Sequence, residues 1–183
     1  MSKNILVITG SPRKGGNSEL LAEAFAKGAQ VKGHSVTMFN AAAKVISGCK
    51  ACGACWNKGR ACSFTDGFSE LEPMLEKADA VIFASPLYWF SFSTQIKAAI
   101  DRMNAYDSEK TLRPLQARES ALLVCGAGKD EHIFDGVIAT YKNILDYLKW
   151  RNMGVLAVPG VQEKGDVLKG DALAKAERLG SSF

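Results

Sequence analysis

Asn4-Ile-Leu-Val-Ile-Thr9 runs directly into Gly10-Ser-Pro-Arg-Lys-Gly-Gly-Asn-Ser18, and then into a stretch with Leu21, Ala24, Phe25 and Ala29 on one helical face. A short apolar run, a small-residue loop and a 3.6-residue period predict strand, loop and helix in that order. The helix is expected over 17–32.

The same alternation continues along the chain. Ser35 to Phe39 predicts a weaker second strand, with Val36 and Met38 on one face. Asp79 to Ser85, Ala121 to Cys125 and Val155 to Val158 predict strands three to five. Helices are expected from Phe68 to Ala78, Ser93 to Met103 and Ile133 to Lys149, and Asp171 can cap a last short one. Pro73 interrupts the first of these, as a first-turn residue or a kink. Strands alternating with helices imply right-handed βαβ units and a parallel sheet. Strands one, three and four are almost continuously apolar, as strands covered on both faces must be. The order is therefore expected to be 2-1-3-4-5, with strands two and five at the edges. No repeat or linker divides the 183 residues. Residues 1–183 read as one α/β domain, with a cysteine-containing insertion at about 40–65 that is longer than a connecting loop needs to be.

Composition narrows the function. Apolar residues make up 47% of the chain, which fits a globular domain. The formal net charge is +4, but Lys3, Arg13, Lys14, Lys58, Arg60 and Lys129 are scattered, so nothing supports nucleic-acid binding. Ile5 to Ile8 is too short for a signal core, and no stretch is long enough to span a membrane. The expectation is a cytoplasmic protein with reduced thiols. Four of the five cysteines crowd into one loop, and the odd total argues against a disulfide framework.

The loop after strand one favours an anion. Small residues let backbone approach a ligand, and free N–H groups at a helix start attract negative charge. Ser11, Asn17 and Ser18 offer neutral donors, and Arg13 offers a fork suited to phosphate. Neither the Walker nor the dinucleotide G-x-G-x-x-G spacing is present, which points to a terminal monophosphate. The loop after strand three, Ser85-Pro-Leu-Tyr-Trp-Phe-Ser-Phe-Ser93, leaves the sheet where strand order reverses, the usual ligand position. Its aromatics suit a planar ring, or else a subunit interface. Cys125-Gly-Ala-Gly128 ends strand four at the same edge, where its glycines leave room for backbone donors.

Taken together, Gly10-Ser-Pro-Arg, Gly16-Asn-Ser18, Ser85-Pro-Leu-Tyr-Trp89 and Gln95-Ile-Lys-Ala-Ala-Ile-Asp-Arg102 resemble the NAD(P)H-dependent FMN reductase family. The resemblance implies a flavodoxin-like three-layer α/β/α sandwich around a five-stranded parallel sheet. It implies that Ser11, Arg13, Asn17 and Ser18 hold the FMN phosphate. Pro86, Leu87, Tyr88, Trp89 and Phe90 would contact the isoalloxazine or ribityl chain, and Gly126 the pyrimidine edge. It also implies a homodimer or homotetramer with flavin near the subunit interface.

The cysteine loop is similar to that of iron–sulfur flavoproteins. Cys49-x2-Cys52-x2-Cys55, with Cys62 following, could supply four thiolates to a [4Fe–4S] cluster. Zinc is the lesser metal reading, and a metal-free loop of reduced thiols is the other. Where many such relatives carry two acidic residues and Met, this chain has Asp66-Gly67-Phe68, which leaves the next helix start undecided. The expected activity is hydride transfer from NAD(P)H to FMN, and onward to a flavin, a quinone or a redox protein. The chemistry would lie in the cofactor, with no side-chain acid or base. The rival is an iron–sulfur electron carrier with little NAD(P)H turnover. A zinc-stapled interaction module without flavin is a third reading.

Overall fold

The computed structural model describes residues 1–55, 60–106, 111 and 113–183; Lys58 lies outside them. Five strands form one parallel sheet: β1 (Asn4–Thr9), β2 (Ser35–Asn40), β3 (Ala80–Pro86), β4 (Glu119–Cys125) and β5 (Arg151–Val158). Their order is β2-β1-β3-β4-β5, as the apolar pattern predicts. The helices are α1 (Asn17–Val31), α2 (Gly67–Lys77), α3 (Thr94–Arg102), α4 (Asp135–Leu148) and α5 (Ala172–Gly180).

Alternate residues of each central strand feed opposite faces. Leu6, Ile8, Val81, Phe83, Leu122 and Val124 pack against Phe68 and Leu71 of α2, Ile96 of α3 and Tyr141 of α4. Ile5, Val7, Ile82, Ala84 and Leu123 pack against Leu21 and Phe25 of α1 and Ala176 of α5. Each fully buried aliphatic side chain contributes about 1.5–3 kcal/mol, so the three central strands are held from both sides. This three-layer arrangement is the flavodoxin-like architecture.

Several boundaries differ from the sequence expectation. The fifth strand begins four residues earlier, at Arg151. Asn152 and Gly154 hid that start: the pairing of β4 with β5 shifts register after Ser120, and Gly154 has φ 153° with its N–H donated to Asn152 Oδ1. Pro73 lies inside α2 rather than in its first turn, and it is exposed, so the helix runs on to Lys77. The undecided start of α2 is resolved by Asp66, whose Oδ1 accepts the Phe68 N–H at 2.9 Å as an N-cap. Among the described residues no helix is long and apolar enough to cross a membrane.

The helix that carries the anion loop is located by backbone contact. A Cβ built on Gly28 of α1 would sit 1.9 Å from the Glu177 carbonyl oxygen, and one on Gly180 would sit 2.0 Å from that of Phe25. Helices α1 and α5 therefore touch main chain to main chain. Gly28→Ala gains up to about 1 kcal/mol of helix propensity but forces these backbones apart. The expected net outcome is a loss of about 1–3 kcal/mol, read as a lower urea midpoint.

Candidate functional site at the carboxyl edge of the sheet

Three loops leave the carboxyl ends of β1, β3 and β4 at one rim. A cavity of about 140 Å³ opens there. Eight of the ten residues singled out from sequence line it: Ser11, Arg13, Asn17 and Ser18 from the first loop, Pro86, Leu87 and Tyr88 from the second, and Gly126 from the third. The first loop is a tight turn in which Ser11 Oγ accepts the Arg13 N–H at 3.1 Å and Gly16 N–H donates to the Arg13 carbonyl at 2.9 Å. Gly15 adopts φ 64°, and its N–H donates to the Glu19 carboxylate. Gly10 leaves room for Ser93 and Ile96, since a Cβ there would lie 2.4 Å from Ser93 Oγ. The Ser18 hydroxyl is 1% exposed and has no hydrogen-bond partner among the described residues. Such a group is costly to bury unless something completes it.

Trp89 and Phe90 do not line this cavity. They border an adjoining open recess of about 680 Å³, together with Thr94, Gly128 and Ile133. The two spaces share Leu87, Tyr88 and Ala127, so they form one continuous groove. Tyr88 and Ser91 exchange both backbone hydrogen bonds, at 3.1 and 3.0 Å, which closes a two-residue hairpin. Its central residues, Trp89 and Phe90, have φ 47° and 61°. Left-handed backbone at a bulky residue costs about 1–2 kcal/mol, and here it holds Trp89 93% exposed above the groove. Gly126 contributes space rather than a donor: its N–H goes to the Val158 carbonyl and its carbonyl accepts from Val161. Cys125 lies in the floor with its thiol pushed up to about 12 by burial, so it stays protonated at neutral pH.

One wall was missed by the sequence reading. Val161, Gln162 and Lys164, from the segment after β5, line the cavity beside the first loop. The signal was available, because this segment leaves the same sheet edge as the other three. The two histidines line neither space.

The cysteine loop lies on the α2–α3 side. Cys49 and Cys52 are exposed, Cys55 is half-buried and Cys62 is buried. The Cys55 thiol is raised, first by burial and then by the charges of Cys62, Cys52 and Cys49, so all four thiols share one neighbourhood. Cys52 is lowered by the Ala54 N–H and the Ser63 hydroxyl. Cys62 N–H donates to Glu72 Oε1 at 3.0 Å, and burial raises that carboxyl above its ordinary value. Arg102, 3% exposed at the end of α3, donates to both Asp66 oxygens at 2.6 Å and to the Phe64 carbonyl at 3.3 Å. Its guanidinium also lies against Cys62, and its Nε has no hydrogen-bond partner among the described residues.

The profile of the NADPH-dependent FMN reductase family matches residues 3–158. This chain belongs to that family. An iron-sulfur flavoprotein of Archaeoglobus fulgidus is 34% identical over 96% of this chain and 76% of its own length. One from Methanosarcina thermophila is 35% identical over 52% of this chain, a match that spans about half of that relative. Among solved structures, an NAD(P)H:quinone oxidoreductase from Methanothermobacter marburgensis superposes with TM-score 0.77 at 18% identity, over 99% of this chain and 96% of that one. The azoreductase AzrA superposes with TM-score 0.73 at 14% identity, over 98% and 100%. At that level of identity these two show the shared fold.

For this FMN reductase family member, the cysteine set suits an iron–sulfur cluster by donor chemistry: four thiols in one neighbourhood, beside a buried arginine N–H that lacks an acceptor. Among the described residues no three ligands are drawn together at metal-binding distance.

The Arg102–Asp66 pair anchors this loop, and its removal has a pH signature. Burial works against the Asp66 charge, but hydrogen bonds from Arg102 and from the Ser47 and Phe68 N–H groups hold its carboxyl below the usual range. A depressed carboxyl stabilises the fold above the unfolded pKa of about 4, and that contribution is lost as pH falls through the lower folded value. Asp66→Asn strands the Arg102 charge and is expected to cost about 3–5 kcal/mol at pH 7. The gap between the variant and the parent should narrow below about pH 4 in urea titrations.

Proposed function

We propose that this chain is an FMN-dependent NAD(P)H oxidoreductase whose acceptor is a flavin, a quinone or a redox protein. The observation that carries the reading is the continuous groove: an anion loop with an orphaned Ser18 hydroxyl at one end and an aromatic hairpin at the other. Bound FMN would supply the chemistry, accepting a hydride from NAD(P)H and passing the electrons on. Arg13, Ser11 and Ser18 would hold the phosphate at the start of α1, where the helix dipole adds to the attraction. Pro86, Leu87 and Tyr88 would flank the ribityl chain and ring. Trp89 and Phe90, exposed above the recess, would cover the ring and keep water from its reactive face. Asn17 would act through the strap described below rather than on phosphate. The family match favours this reading over an electron carrier with little NAD(P)H turnover. Cys49, Cys52, Cys55 and Cys62 are proposed to hold a [4Fe–4S] cluster, and a homodimer or homotetramer is proposed for the assembly.

Protein purified without oxygen should show a flavin spectrum and contain FMN. Iron and sulfide should be present at about four each per chain if the cluster reading is right. Rapid oxidation of NADH or NADPH with added quinone or flavin is expected. Bound FMN and cluster with negligible pyridine-nucleotide turnover would make the carrier the better description. Colourless protein that takes up no FMN would sink the proposal altogether.

Arg13→Ala should weaken FMN binding by about 1.5–3 kcal/mol through loss of a charged hydrogen bond. Fluorescence titration of flavin-free protein provides the measurement.

A further inference from the structure

The segment after β5 is tied down across the first loop. Gly160 N–H donates to the Gly128 carbonyl at 2.8 Å, and Val161 N–H to that of Gly126 at 2.9 Å. Arg13 Nη1 donates to the Gln162 carbonyl at 2.9 Å. The Asn17 side chain does the rest. Its Nδ2 donates to the Glu163 carbonyl at 2.9 Å, while its Oδ1 accepts the Gly165 and Val167 N–H groups at 3.0 and 3.3 Å. Asp166 braces the strap from within by accepting the Gln162 and Glu163 N–H groups at 3.1 and 2.8 Å. A surface segment is thereby held in one conformation by side chains of the anion loop itself.

Lys164 sits at the tip of this strap. A Cβ built on Gly15 would lie 3.1 Å from Lys164 Cε and 3.3 Å from its Nζ. The lysine therefore crosses the glycine turn closely, and it lines the same cavity as Ser18 and Arg13. A phosphate monoester carries about −1.5 to −2 at neutral pH. The Glu19 carboxylate, hydrogen-bonded to the Gly15 N–H, adds a further negative charge beside the turn. Arg13 alone leaves the site net negative. Lys14, though adjacent in sequence, does not line the cavity.

Resting on the FMN reading above, we propose that Lys164 is the second cation of the phosphate site, delivered by the strap that Asn17 holds, and that it makes the site select the phosphorylated flavin over riboflavin. The lysine neutralises charge that the α1 dipole and Arg13 leave unbalanced. Asn17 is a positioning residue in this arrangement, because its carbonyl oxygen and one of its amide N–H groups hold the strap. The structure thus assigns phosphate recognition to two segments nearly 150 residues apart in the chain.

Flavin-free parent protein, Lys164→Met, Lys164→Arg and Lys14→Met would each be titrated with FMN and with riboflavin. Lys164 is exposed, so the Met variant should fold as the parent does. The expected result is a loss of FMN affinity of about tenfold or more in Lys164→Met, with riboflavin affinity unchanged and FMN affinity largely restored in Lys164→Arg. Lys14→Met should bind FMN as the parent does. Unchanged FMN affinity in Lys164→Met, or an equal loss in Lys14→Met, overturns the assignment while a parent that binds FMN tightly keeps the flavin reading. A parent that binds FMN no better than riboflavin overturns the phosphate reading underneath.

Discussion

Burial of β1, β3 and β4 on both faces is the constraint from which the rest follows. A strand covered above and below must satisfy every backbone N–H and C=O within the sheet. It must also offer apolar side chains to both layers, as Ile5 to Ile8, Ala80 to Ala84 and Ala121 to Val124 do. Parallel pairing then sends each connection across a helix, and all carboxyl ends emerge at one rim. The loops at that rim carry little of the core, Phe92 and Leu87 excepted. Glycine, serine, arginine and aromatic residues can collect there without cost to the sheet.

Two polar devices turn the rim into a defined groove. Asn17 ties the strap after β5 to the first loop with three hydrogen bonds, so this end of the groove is walled by two segments. The Tyr88–Ser91 hairpin accepts left-handed backbone at Trp89 and Phe90 to hold two aromatic rings out over the other end. Strain of this kind persists only where the surroundings over-determine it. Here the hairpin is pinned between the end of β3 and the Ser93 start of α3, whose N–H donates to the buried Ser85 hydroxyl at 3.0 Å.

Helix α3 links this groove to the cysteine loop. It starts immediately after the aromatic hairpin and ends at Arg102, the buried guanidinium that lies against Cys62 and grips Asp66. The pair is partly desolvated, so it contributes chiefly by fixing where the loop returns to the core rather than by net attraction. Glu72 fixes the same point from α2 by accepting the Cys62 N–H. Cys62 is thus held from two helices, whereas Cys49 and Cys52 remain at the surface.

Local pattern was enough for the strand order, the five helices and the three loops of the rim, because apolar runs and glycine-rich turns report burial and backbone freedom residue by residue. It also singled out Ser11, Arg13, Asn17, Ser18, Pro86, Leu87, the Tyr88–Phe90 aromatics and Gly126 as groove residues. It does not reveal contacts made with a partner far along the chain. Sequence order does not show that Asn17 donates one amide N–H to the Glu163 carbonyl and accepts the Gly165 N–H, or that the Gly126 N–H and carbonyl pair with Val158 and Val161. Lys164 went unnoticed because a lone lysine in a polar loop carries no local signature. Composition and periodicity state which residues are buried and which turns are open; only the folded chain decides which hydrogen bonds are already spent, since that is a matter of distances between segments that sequence order keeps apart.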